Sequence, residues 1–160
     1  MPTTDHTHEE AAVSPRKSRK RVWASAAGAI VVATSALVLT SATAAQGADP
    51  AQVCNTGRGL PDGAGPFRTV GSVAVPGGGG TVHLLYDDTY NCAVTTNNGV
   101  GTVYMDVGLR LAGSGAGAWD HGNFGEYAGP VYVSARGICV DYTGAVGDQS
   151  ASRTGTNCEE

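Results

Sequence analysis

The chain has no lysine after Lys20. From residue 45 onward it carries five arginines and eleven acidic residues, a net charge near −6. Those arginines are isolated from one another, so no basic stripe is available for phosphates, and no nucleic-acid partner is expected. An acidic exported domain has equally little attraction for anionic lipid, so no membrane partner is expected once a leader is removed. Other absences narrow the chemistry. After the leader no Ser-x-x-Lys is possible, since the last lysine is Lys20, and neither Ser72 nor Ser114 sits in a G-x-S-x-G elbow. No H-E-x-x-H, no EF-hand loop and no Cys-x-x-Cys occurs, so no metal and no cofactor are expected. "PGGGG" (Pro76 to Gly80) lacks the lysine of a phosphate loop and reads as flexible backbone. Beyond the first 45 residues no segment shows a helical period.

What is present begins with a leader. "RKSRKR" (Arg16 to Arg21) packs five positive charges before an uncharged run from Val22 to Ala48. A charged region over 1–21, an apolar region over 22–39 and small residues at Ala42-x-Ala44 make a secretory signal peptide over 1–44. The expected cut follows Ala44 or Ala45. The alternative is an uncleaved anchor, since the roughly 18 residues from Val22 to Leu39 are just enough to cross a bilayer. Lys20 breaks the arginine pair of a twin-arginine signal. His6 and His8 precede the apolar run and are set aside with it.

About 115 residues remain, enough for one small domain that buries a little over 60% of its unfolded surface. All four cysteines fall here: Cys54, Cys92, Cys139 and Cys158. An even count in an exported chain implies two disulfides, with three possible pairings. Cys54–Cys92 with Cys139–Cys158 is favoured because local pairing costs the least loop closure, and each bridge contributes roughly 3–4 kcal/mol in the chain-entropy model.

Gly plus Pro make up about a quarter of this part, near the level of disordered chains, but its patterning is that of strands. "FRTVGSVAV" (67–75), "TVHLLYDD" (81–88) and "CAVTTN" (92–97) alternate between turn residues. In "TVYMDVGLR" Val103, Met105, Val107 and Leu109 face one way and Tyr104, Asp106, Gly108 and Arg110 the other, the habit of an antiparallel sheet with one wet face. "PVYVSA" and "ICVDYT" suggest a final hairpin across "RG". The tail from Gly144 is polar and expected to be ordered only through Cys158. The expectation is an all-β fold, a small antiparallel sandwich or barrel of six to seven strands over 67–160, after an extension over 45–66.

The stretch richest in reactive groups is "WDHGNFGEYAGPVYV" (Trp119 to Val133). Asp120 and Glu126 are a candidate acid–base pair for glycoside hydrolysis, with His121 beside them. Neighbours on a strand point to opposite faces, so Asp120 and His121 would not converge, and no catalytic residue is assigned. Trp119, Phe124 and Tyr127 are the candidate ligand-binding residues, as a stacking surface for sugar rings. The competing reading makes them core aromatics around a solvated turn, with Pro130 opening the next strand. His83 and the tyrosines 86, 104 and 132 read as ordinary sheet residues.

The order of "VCNTG", "GTVHLLYDDTYNCAVTT", "WDHGNFGEYAGPVYVSARGICVDYTG" and "NCEE" resembles the spore-associated protein A-like family of small secreted bacterial proteins. The resemblance runs from about Val53 to Cys158, and "YAGPVYVSARGIC" is its most specific part. Three departures stand out: "YTG" where the family tends to Trp-Gly-Gly, Phe124 in place of tyrosine, and His121 where a small residue is usual. A histidine that comes and goes argues against catalysis at His121. The resemblance implies a secreted or spore-surface protein, with spore-coat or cell-wall components as partners, and brings no catalytic residues. The expected function is a non-enzymatic envelope protein. The alternatives are a carbohydrate-binding module for wall or spore-coat glycan and a small secreted protease inhibitor or hydrolase.

Overall fold

The structure, a computed structural model, describes residues 47–158. The leader and its expected cut lie outside them. No helix among the described residues is long and apolar enough to cross a membrane.

The alternation in "TVYMDVGLR" marks the centre of one sheet. Strand β4 (Val103–Leu111) buries Met105, Val107 and Leu109 completely and leaves Tyr104 and Arg110 exposed. It pairs antiparallel with β5 (Gly117–Phe124) and β7 (Val140–Val146), and β7 pairs with β8 (Gln149–Thr156), giving the order β5-β4-β7-β8. A second antiparallel sheet contains β1 (Arg68–Ala74), β2 (Gly80–Tyr86), β3 (Tyr90–Asn97) and β6 (Tyr127–Ser134) in the order β1-β2-β3-β6. The fold is a sandwich. Val82, Leu84, Ala93, Val131 and Tyr142 join the buried β4 residues between the sheets. Each large apolar side chain buried there contributes about 1.5–3 kcal/mol.

Three expectations need correction. The strands number eight, because the polar tail forms β8. It is an edge strand with little buried surface, so backbone pairing rather than apolar alternation defines it. "PVYVSA" and "ICVDYT" do not form a hairpin. β6 pairs with β3 and β7 with β4, so "RG" lies in a corner that carries the chain from one sheet to the other. A short connection serves a corner as well as a hairpin, and separation along the chain does not tell them apart. Finally, the 45–66 extension contains a helix, α1 (Pro50–Thr56), whose seven residues are too few to show a period. Its start is nonetheless written in the sequence: Asp49 Oδ1 accepts from the Ala51 N–H at 2.9 Å, and Pro50 occupies the first turn.

α1 packs on the outer face of the β1-β2-β3-β6 sheet, where Val53, Cys54 and Phe67 meet Leu85, Cys92 and Val94. That sheet is therefore covered on both sides, and β3 is buried from Asn91 to Asn97. Disulfide Cys54–Cys92 fastens helix to strand, with a Cα–Cα distance of 6.1 Å. Tyr132 donates its hydroxyl to the Cys54 carbonyl at 2.8 Å, and burial pushes its pKa up to about 12. Disulfide Cys139–Cys158 returns the tail to the corner before β7. The contacts of α1 fall on β1, β2 and β3, and the outer face of the β5-β4-β7-β8 sheet leaves Tyr104, Arg110, Trp119 and His121 exposed.

Candidate functional site

The stretch from Trp119 to Val133 is neither a turn nor a single strand. It is β5 and β6, joined at Gly125–Glu126, and it passes from the β5-β4-β7-β8 sheet to the covered one. Along β5 the side chains alternate. Trp119 and His121 are exposed, while Asp120 and Phe124 are half-buried. Asp120 and His121 accordingly diverge. Asp120 Oδ2 accepts from the Gly129 N–H at 2.8 Å and ties β5 to the bulge in β6, where Gly129 and Pro130 together stand opposite Val94. Pro130 thus stands inside β6 rather than at its start. It is tolerated there because β6 is an edge strand and the bulge interrupts the ladder. Glu126 is exposed at the turn, and its carbonyl accepts from the Asn97 N–H at 2.8 Å. The carboxyls of Asp120 and Glu126 line no common hollow.

Trp119, Phe124 and Tyr127 do border one cleft of about 480 Å³, together with Arg58 and Pro130. They reach it from different layers. Phe124 packs against the inter-sheet core and Tyr127 against the cluster under α1. Only Trp119 is an exposed ring, at 54%.

The neighbours of Trp119 on the other side are residues the local sequence does not group with it. Trp119 stands opposite Gly108 on β4, and Gly108 opposite Thr143 on β7. A Cβ at Gly108 would lie 2.6 Å from Trp119 Nε1 and 3.0 Å from Thr143 Cγ2, so the missing side chain is the seat of the indole. The next row along the strands is His121 opposite Asp106, and beyond it Asn123 opposite Tyr104. In the other direction Arg110 pairs with Asp141 through Nε and Oδ2 at 3.2 Å, while Asp141 Oδ1 accepts from the Gly155 N–H at 2.8 Å. Two hollows meet at Trp119 and Thr143. One, about 260 Å³, is walled by Arg110, Asp141, Ser152 and Arg153. The other, about 300 Å³, is walled by Tyr104, Asp106 and His121.

Among the described residues no group of three or more His, Cys, Asp or Glu is placed to hold a metal ion, and all four cysteines are bridged. His83, on the covered sheet, lies 3.1 Å from Thr96 Oγ1, and burial lowers its pKa.

The fold and face define a class: a small disulfide-tied antiparallel sandwich with one sheet capped by a helix and the other presenting an aromatic and polar surface. No family model matches the sequence, and no solved structure matches it. Over 140 residues it is 40% identical to Spore-associated protein A of Streptomyces coelicolor, an alignment covering 86% of this chain and 82% of that protein. The chain belongs to the spore-associated protein A family.

Proposed function

We propose that this protein is exported and acts without catalysis at the spore surface, where it contacts spore-coat or cell-wall components. The observation that carries the reading is the 40% identity to a protein named for its association with spores, over 82% of that protein's length. Two disulfides suit an oxidising compartment outside the cell. The reactive-looking stretch is occupied structurally. Asp120 is engaged by the Gly129 N–H and the cysteines are bridged.

Fractionation tests this. Washed spores, vegetative walls and cell-free medium are probed for the protein, and the intact mass of what is found is measured. A form beginning near Ala45 and enriched on spores is expected. Processed protein confined to the medium would overturn the surface role and return the inhibitor and hydrolase readings to the bench.

A further inference from the structure

We infer that the outer face of the β5-β4-β7-β8 sheet binds a neutral, β-linked pyranose chain on Trp119. The inference deepens the spore-surface reading by naming what the protein would hold there. Four observations lead to it. Trp119 and Tyr104 are the two exposed aromatic side chains among the described residues, at 54% and 46%, and both stand on this one face. An exposed indole over an emptied backbone position is a built feature rather than a packing remainder. Gly108 leaves room for the ring, and Thr143 flanks the same spot. Exposed rings with polar neighbours suit ligands that are apolar on one side and hydroxylated at the rim. A pyranose with equatorial substituents has that character, with axial C–H bonds for the ring face and hydroxyls for Asp106, His121 and Ser152.

The shape suggests a chain rather than a single sugar. The two hollows meet at Trp119 and Thr143 and together run along the strands. From Tyr104 to Arg110 β4 covers roughly 20 Å, and Tyr104 lies about 14 Å along the strand from Gly108, the partner of Trp119, at ~3.4 Å per residue. A β-linked polymer is extended enough to touch both rings. Charge selects against anionic polymers. Arg110 on this face is outnumbered by Asp106 and Asp141, and the chain from residue 45 is strongly acidic and repels polyanions. A β-strand peptide is the rival occupant, but the β8 edge already offers a place for that, and a strand would have no use for a ring seated in mid-face.

The test uses the chain from residue 45, which contains the whole two-sheet unit. Trp119 is then its single tryptophan, because the other is Trp23. Its fluorescence is titrated with N-acetylglucosamine and glucose β-1,4 oligomers. Retention is measured on chitin, cellulose and peptidoglycan stripped of anionic polymer. The expected result is a shift of emission to shorter wavelength with at least one oligomer series. Trp119→Ala should reduce retention about tenfold or more and Tyr104→Ala several-fold. Trp119→Phe should retain part of the binding, and Arg58→Ala, at the edge cleft, should leave it unchanged. Unaltered melting midpoints establish that the variants fold. Three outcomes would overturn the inference: no neutral glycan bound, retention unchanged in Trp119→Ala, or retention only on unstripped anionic wall or on spore-coat protein. Binding by the purified protein stands or falls separately from where fractionation finds it, so the two readings fail independently.

Discussion

At the scale of single residues, β3 carries two buried side-chain atoms without a hydrogen-bond partner among the described residues, Asn91 Nδ2 and Thr95 Oγ1. Thr95 is fully buried on β3, and its Oγ1 accepts and donates no hydrogen bond. It faces Gly144 on β7, where a Cβ would overlap Thr95 Oγ1 and lie 2.7 Å from Val82 Cγ2. An unsatisfied buried hydroxyl costs about 1–3 kcal/mol. Thr95→Val keeps the shape and removes the hydroxyl, so it should raise the urea midpoint, by about 1 kcal/mol in stability. Gly144→Ala should act in the opposite direction, losing about 1–3 kcal/mol to overpacking against groups that have no room to move. A Thr95→Val protein less stable than its parent would mean the hydroxyl is satisfied after all. The same intimacy explains what the sequence concealed about Trp119. The ring was conspicuous as part of an aromatic stretch. Its seat was not, because Gly108 and Thr143 come from strands 11 and 24 residues away in sequence.

At the scale of elements, legibility followed the physics of burial. β4 could be read residue by residue because one face is buried and the other wet, which imposes a period of two. β3 gave only part of its position, since a strand covered by the other sheet and by α1 is buried on both faces and loses that period. β8 gave none, and α1 was hidden by its length. The β6–β7 corner was misread as a hairpin because nothing local distinguishes the two. One turn, however, shows how a single side chain can hold elements together. Asp87, between β2 and β3, accepts from the N–H groups of Thr89 and Tyr90 through Oδ1 and from Gly65 through Oδ2, joining the hairpin to the segment after α1. Burial pushes its pKa up, but the backbone donors outweigh that and hold it below the ordinary value. A carboxylate lowered in the folded state adds stability above its unfolded pKa of about 4, and that stability is lost as pH falls through the folded value. Asp87→Asn should therefore be less stable than the parent at pH 7, with the gap narrowing toward pH 3 in paired denaturation curves. A gap constant with pH would show that the charge of Asp87 is irrelevant and only its hydrogen bonds matter.

At the scale of the whole molecule, the two bridges are placed where a domain of this size is weakest. Cys54–Cys92 spans 38 residues and fastens the only described α-helix to β3, with both sulfur-bearing residues fully buried. Cys139–Cys158 spans 19 residues and holds the end of β8, with Cys158 exposed. Loop closure assigns about 3–4 kcal/mol to each, against a total stability of about 5–15 kcal/mol for a domain. Complete reduction should accordingly remove a large share of the stability and lower the melting midpoint by many degrees. The order of reduction is also set by access, since attack by an external thiolate requires a reachable sulfur. Mild reductant should open Cys139–Cys158 first and leave a folded protein with a loosened β8, while Cys54–Cys92 yields only when α1 lifts from the sheet. Timed alkylation with peptide mass mapping would read that sequence of events. If Cys54–Cys92 opened first, or if the midpoint barely moved after both had opened, the helix cap would be dispensable and the sandwich would have to be held by its core alone.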